Sequence, residues 1–213
     1  MDKKIQDLRE HYSLQTLDLS DLMQDPIEQF RSWFSDAMKA NILEPNAMSL
    51  STVIDNRAKS RIVLLKEIDT EGFIFYTNYR SDKGIEIAQN KFVALNFLWK
   101  DIQRQVRIEG VASKISEERS NTYAQSRPRA SQIGAWVSNQ SSIIEDRKIL
   151  EEKQSELNNK FGNEDRIPKP PHWGGFIVKP DLIEFWQGRP SRLHDRLRYT
   201  LNDNEWLIER LAP

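Results

Sequence analysis

The spacing of apolar residues changes period several times along this chain, and each change marks an element. From Asp25 the spacing is helical: Ile27, Phe30, Phe34, Ala37 and Met38 form one stripe. Asp25 suits an N-cap, Pro26 the first helical position and Glu28 a capping box, so a helix is predicted to start there. At Ala47 the period shortens to two. Met48, Leu50 and Thr52 alternate with Ser49, Ser51 and Val53, and Asp55-Asn56 supplies turn chemistry. Residues 60–68 are the next β-rich run, and residues 69–72 turn it into GFIFYTN. Ser81 caps a short predicted helix ending at Gln89. FVALNFLW and IQRQVRIEGVAS give two more strands.

Residues 116–126 and 142–161 read as helices, the second with a Ser142-x-x-Glu145 box and Gly162 just past its end. Between them, RPRASQIGAWVSNQSS reads as a loop. Pro168, Pro170 and Pro171 make a rigid connector to GGFIVKP, LIEFWQG and a closing hairpin, LRYTLNDNEWLIER. Residues 1–24 lack a firm period and read as an arm. Strands joined as hairpins, with helices between them, predict an antiparallel sheet or barrel rather than a doubly wound parallel fold. The expected organisation is an arm (1–24) and a single domain (25–213).

Composition narrows the chemistry. The chain has 213 residues, 30% charged and 38% hydrophobic, with a net charge of −1. That is ordinary for a globular protein and argues against broad nucleic-acid binding, which needs a basic domain. Cysteine is absent and there are only three histidines, His11, His172 and His194, none in an i, i+4 pair. Thiolate chemistry is therefore excluded and no metal site is expected. No apolar run reaches the about 18 residues of a membrane span, and MDKKIQDLREHY lacks a leader-like apolar core, so a cytoplasmic location is expected.

The near-zero charge is unevenly distributed. Residues 1–44 hold nine acids and five bases. Residues 57–66 hold Arg57, Lys59, Arg61 and Lys66 with no acid. Residues 120–144 hold Arg127 and Arg129, again with none, and residues 187–198 hold Arg189, Arg192, Arg196 and Arg198 against Asp195. Arginine with nearby hydroxyls and amides suits phosphate; a solvated basic face is the plainer alternative. No GxxxxGK[ST] loop, GxGxxG turn or G-x-S-x-G elbow is present. Arginines flank His194, which disfavours its acting as a neutral base.

Residues 183–196, IEFWQGRPSRLHDR, resemble the C-terminal motif of the pyridoxamine/pyridoxine 5′-phosphate oxidase family. RIVLLK (61–66), FYTN (75–78), RQV (104–106), SRPRASQIGAWVSNQSS (126–142) and the closing ERLAP extend the likeness in the same order, from about Arg9 to Pro213. The resemblance implies a split β-barrel of FMN-binding type, assembled as a homodimer with FMN at the subunit interface. It implies oxidation of pyridoxamine or pyridoxine 5′-phosphate to pyridoxal 5′-phosphate, with electrons passing through FMN to O2 to give hydrogen peroxide. No nucleic-acid or membrane partner is implied.

By the same resemblance, FMN is held by Arg61, Ile62, Val63, Leu64, Lys66, Tyr76, Thr77, Asp82, Lys83, Gln105, Gln140, Ser141, Trp186 and Arg196. Lys66, Tyr123, Arg127 and Ser131 take the substrate phosphate, and Arg192 and His194 act on the pyridine ring as the catalytic pair. Arg9 and Tyr12 close over the substrate. The flavin supplies the redox chemistry, so the lack of cysteine is no obstacle. One departure stands out: the family has Ser-Arg-Lys where this chain has Ser81-Asp82-Lys83. An anion there is expected to weaken FMN binding, with Arg80 as a compensating cation. Two other readings stay open: a split-barrel flavin enzyme of other specificity, and a non-catalytic protein that binds pyridoxal phosphate or flavin.

Overall fold

A computed structural model describes residues 4–5, 10–162 and 164–213. Helix α1, Pro26–Lys39, begins where its cap demands. The Asp25 carboxylate accepts the backbone N–H groups of Ile27 (2.7 Å) and Glu28 (3.4 Å). Its buried face carries Ile27, Phe30, Trp33 and Ala37, whereas Met38 is exposed. The predicted stripe therefore differs in two places: Trp33 is added to the buried face, and Met38 drops off its end.

Nine strands follow among the described residues: β1 Ala47–Ile54, β2 Arg57–Leu64, β3 Glu67–Ile68, β4 Phe73–Asn78, β5 Phe92–Trp99, β6 Arg104–Lys114, β7 Trp173–Gln187, β8 Asp195–Asn202 and β9 Glu205–Arg210. Their pairing order is β2-β1-β5-β6-β7-β4-β3, with β8 joined to β7 and β9 to β8. The pairs β3–β4, β4–β7, β7–β8 and β8–β9 are antiparallel. Asp55-Asn56 and Asp203-Asn204 both adopt positive φ, the backbone of tight two-residue hairpins. GGFIVKP and LIEFWQG are not separate strands but one, β7.

The remaining helices are α2 Asp82–Gln89, α3 Glu117–Ser126, α4 Arg129–Val137 and α5 Lys148–Phe161. Two expectations are corrected here. The stretch read as a loop contains α4, which starts after Pro128 without a side-chain cap. Its Ile133 and Val137, at i, i+4, pack with Leu157, Phe161 and Ile167. Helix α5 starts six residues after Ser142; the Ser142 hydroxyl donates instead to the Asn139 carbonyl (2.6 Å).

The chain divides into two compact units that share strands. Unit one takes the described residues up to Leu50, together with Ala94–Gly110 and Pro180–Pro213. Unit two takes Ser51–Val93 and Val111–Lys179. Unit one is built on an aromatic core in which Phe30 meets Phe97 and Trp99, and Trp33 meets Phe185 at 5.0 Å. In unit two Phe75 stacks on Phe176, and Tyr79 meets that ring edge-on. Among the described residues, no helix is long and apolar enough to cross a membrane.

Candidate active site

In unit two, two cations sit together at low exposure. Arg61, near the end of β2, is fixed by Glu86 of α2 (2.5 Å) and by the Thr52 hydroxyl (2.6 Å). Thr52 in turn donates to Glu86 at 2.5 Å. Four residues on from Asp82, α2 has turned Glu86 inward, where it is 5% exposed. Lys83, one turn earlier, donates to the hydroxyls of Thr77 (3.4 Å) and Ser81 (3.3 Å). Burial pushes its ammonium below the usual lysine range, and the Arg61 charge adds to this; Asp82 and Glu86 oppose it.

The cluster extends to the segment after α4. Thr77 donates to the Gln140 side-chain oxygen (3.4 Å), and the Asp82 backbone N–H donates to the Ser141 hydroxyl (3.2 Å). Ser141 itself is held at φ 74°. Arg61, Thr77, Asp82, Lys83, Gln140 and Ser141 are thus brought together from separate stretches of sequence. Asp82 has an exposed side chain. Ile62 is 68% exposed, Val63 and Leu64 are half-buried, and Lys66 is exposed with its N–H bonded to the Ile74 carbonyl (2.8 Å).

Beside this cluster lies an aromatic stack. The Tyr76 ring lies 3.8 Å from that of Tyr123 and 5.5 Å from that of Trp173, all nearly parallel. The Arg127 guanidinium sits 4.6 Å above Trp173. Backbone spacing permits the stack, because Gly175 is the β7 partner of Tyr76; a Cβ there would lie 2.9 Å from the Tyr76 ring. Arg127, Ser131, Asn78, Ser138, Gln140 and Trp173 line a cavity of about 230 Å³. Burial lowers the Arg127 pKa, so this guanidinium is incompletely hydrated and suits an anion.

The C-terminal motif forms a second constellation within unit one. A cavity of about 510 Å³ is lined by Glu10, His11, Tyr12, Arg189, Arg192 and His194. Tyr12, Trp186 and His194 meet in a three-ring cluster with centroids 4.6–5.8 Å apart. Tyr12 lies against Gly188, where a Cβ would come within 2.7 Å of its ring. His194 Nδ1 accepts the Arg189 N–H at 3.0 Å. Burial chiefly, and then the Arg192 charge, pushes the His194 pKa down, against a smaller opposing effect of Asp195. The imidazole is therefore neutral at pH 7 and carries its proton on Nε2.

Ser191 and Arg192 are consecutive non-glycine residues at positive φ, 58° and 64°. Such backbone costs about 1–3 kcal/mol per residue and concentrates at functional sites. Arg196 is held by Glu184, from Nε at 2.7 Å and Nη2 at 3.2 Å, and also donates to the Ala212 carbonyl. Gln105 is half-buried on β6. Arg9 lies outside the described residues.

With this geometry in hand, the comparisons with known proteins decide the family. Residues 34–160 match the model described as pyridoxamine 5′-phosphate oxidase. Residues 173–213 match the one described as the pyridoxine 5′-phosphate oxidase C-terminal dimerisation region. The chain belongs to the pyridoxamine 5′-phosphate oxidase family. The pyridoxine/pyridoxamine 5′-phosphate oxidase of Salinibacter ruber is 51% identical, covering 99% of both chains. That of Acaryochloris marina is 53% identical over 98% of this chain and 95% of its own. Among solved structures, PhzG from Burkholderia lata, in complex with tetrahydrophenazine-1-carboxylic acid, superposes with a TM-score of 0.89. It is 28% identical, over 96% of this chain and 100% of that one. A pyridoxamine 5′-phosphate oxidase-related protein from Nostoc punctiforme shares the fold at 18% identity and a TM-score of 0.68. The fold is the antiparallel α+β split barrel of this family.

Set against the family motifs, some lining residues were not singled out in the sequence. Trp173 is one, although the neighbouring Gly174-Gly175 pair was a signal that rings approach the backbone there. His11 and Glu10, in a stretch without periodicity, had no signal, yet both line the same cavity as Arg192. Arg129 belongs to a basic stretch but is used structurally, donating to the carbonyls of Phe161 and Glu164 at the end of α5.

Proposed function

We propose that the chain oxidises pyridoxamine 5′-phosphate and pyridoxine 5′-phosphate to pyridoxal 5′-phosphate with FMN, delivering the electrons to O2 as hydrogen peroxide. One observation carries the reading: unit two holds two adjoining groups of cationic and hydroxyl side chains linked through Gln140. This side chain accepts from Thr77 in the Lys83 cluster and also lines the Arg127–Ser131 cavity. An oxidase of phosphorylated vitamers needs such a pair, one site for the cofactor phosphate and one for the substrate phosphate.

The residues fit FMN. Lys83 is a half-buried cation whose hydrogen-bond partners are hydroxyls, with Arg61 near enough to depress its pKa, so a dianion relieves both. Arg61, Thr77, Lys83, Gln140 and Ser141 would hold the cofactor's phosphate end, with the strand 62–64, Lys66, Tyr76 and Gln105 along the rest. Trp186 and Arg196 complete the site, which lies at the interface of a homodimer. When bound, FMN supplies the two-electron redox step. Asp82, where the family has a cation, makes this cofactor site weaker than the family norm.

The chain's own residues do the remaining work. Lys66, Tyr123, Arg127 and Ser131 hold the substrate phosphate. Arg192 and the neutral His194, donating from Nε2, orient the pyridine ring so that the carbon to be oxidised is fixed before reaction. Arg9 and Tyr12 close the site. In this reading residues 25–213 act as one functional domain behind the 1–24 arm, in the cytoplasm, with no nucleic-acid or membrane partner. A coupled peroxide assay on FMN-loaded protein tests it. Pyridoxamine 5′-phosphate should yield peroxide and an aldehyde in equal amounts; flavin that stays oxidised with both vitamers contradicts the proposal.

A further inference from the structure

Glu67 lies outside every assignment made above, yet its single carboxylate joins the site residue Tyr76 to Arg119 of α3. It sits on β3, in register with Ile74 of β4. One oxygen accepts the Tyr76 hydroxyl at 2.5 Å. The other accepts Arg119 twice, from Nη2 at 2.6 Å and Nε at 3.1 Å. Arg119 reaches Asp69 with its remaining arm at 2.6 Å. It stands on α3 four residues before Tyr123 and eight before Arg127, so the three share one face of that segment. Tyr123 stacks on Tyr76, and Arg127 covers Trp173.

These contacts form a closed loop: Glu67 to Tyr76, Tyr76 to Tyr123, Tyr123 along α3 to Arg119, and Arg119 back to Glu67. The geometry assigns Glu67 and Arg119 as positioning residues that dock α3 on the β3–β4 pair and so hold Tyr123 and Arg127 in place for a substrate phosphate. The charge pattern agrees. The Arg119 pair holds the Asp69 carboxyl below the usual carboxylate range, and its hydrogen bonds to Glu67 raise the Arg119 pKa. A fork held by two carboxylates fixes direction better than a single lysine contact does. Asp69 divides its carboxylate between Arg119 and its own turn, accepting from Thr70 and the Glu71 N–H, whereas Glu67 engages both ends of the loop, so Glu67 carries more of the positioning. The inference rests on the substrate-phosphate reading of Tyr123 and Arg127.

The test uses FMN-loaded protein and two probes, pyridoxine 5′-phosphate in turnover and inorganic phosphate by calorimetry. Glu67→Gln and Arg119→Lys should each raise the KM for pyridoxine 5′-phosphate about tenfold, with kcat changed by less than about threefold. The dissociation constant for phosphate should rise by a similar factor. Asp69→Asn should show a smaller rise in both. A variant that melts at lower temperature but keeps the wild-type KM and phosphate affinity has lost only a structural contact, and that result overturns the inference. Should the wild-type protein oxidise neither vitamer, the activity proposal fails, and the calorimetry still decides this one. Equal phosphate affinities in wild type and Glu67→Gln overturn it.

Discussion

The cationic groups of unit two and Arg192 of the C-terminal turn in unit one are prepared in opposite ways. Arg61 has Glu86 and Thr52, Lys83 has two hydroxyls, and Arg127 has the face of Trp173. Each is fixed by neighbours on strands or helices. Arg192 instead lies exposed in a 3₁₀ turn, in left-handed backbone, with no hydrogen-bond or ion-pair partner among the described residues. The difference separates two tasks. A phosphate that does not react is best met by groups already in place, which add uniform binding. A ring that must be oriented for reaction is met by a group whose donors are uncommitted until it arrives.

Breaking the second kind of contact should have the largest effect. Arg192→Ala is expected to slow single-turnover flavin reduction by pyridoxamine 5′-phosphate about 100- to 1,000-fold, the scale for losing one positioned donor. The melting temperature should move little, since the side chain holds nothing else. Flavin reduction at the wild-type rate would remove Arg192 from the catalytic role. Next comes Arg127→Met, which keeps bulk over Trp173 but removes the charge. KM should rise by roughly 10- to 100-fold with a smaller change in kcat, the mark of lost uniform binding. An equal fall in kcat would place Arg127 with the ring-orienting group and erase the contrast.

A smaller effect is expected at the FMN phosphate. Asp82→Arg should tighten FMN by a few-fold in a fluorescence titration, limited because position 82 is exposed and screened. Unchanged affinity would mean that this side chain faces away from the phosphate. The smallest effect concerns protonation. With three histidines in the chain, imidazole proton resonances are assignable one by one, and His194 should titrate below its ordinary value of 6.5. Because the folded pKa is depressed, the unfolded state binds more protons below pH 6.5, so this residue's contribution to stability falls as pH drops. Arg192→Ala should move the His194 pKa upward by removing the cation; a downward move would contradict the assigned cause.

How much of this was legible beforehand follows from which interactions are local. The α1 start was readable because Asp25 accepts the Ile27 and Glu28 N–H groups and Pro26 has none to satisfy, all within four residues; the Glu28 side chain pairs with Arg31 instead of closing the box. The Asp55-Asn56 turn and the closing hairpin were readable for the same reason. Helix α4 was not, since it lacks a cap and depends on Leu157 and Phe161, twenty or more residues away. The Ser142 box failed because a hydroxyl bond to Asn139 won locally. In the candidate site, motif likeness singled out Arg61, Lys83, Arg127 and Arg192. The carboxylates behind them, Glu86 on Arg61 and Glu67 on Arg119 and Tyr76, carry no signal in sequence, because a paired carboxylate and a solvated one look alike until their partners are placed.

The central claim is that phosphate capture in unit two serves an oxidation. It is tested most directly by mixing FMN-loaded protein, without oxygen, with pyridoxamine 5′-phosphate and, separately, with pyridoxamine. The account predicts that the phosphorylated amine bleaches the flavin at least about 100-fold faster at equal, subsaturating concentration, the scale of one charge-assisted phosphate site. Equal rates with both amines, or no bleaching with either, would contradict it.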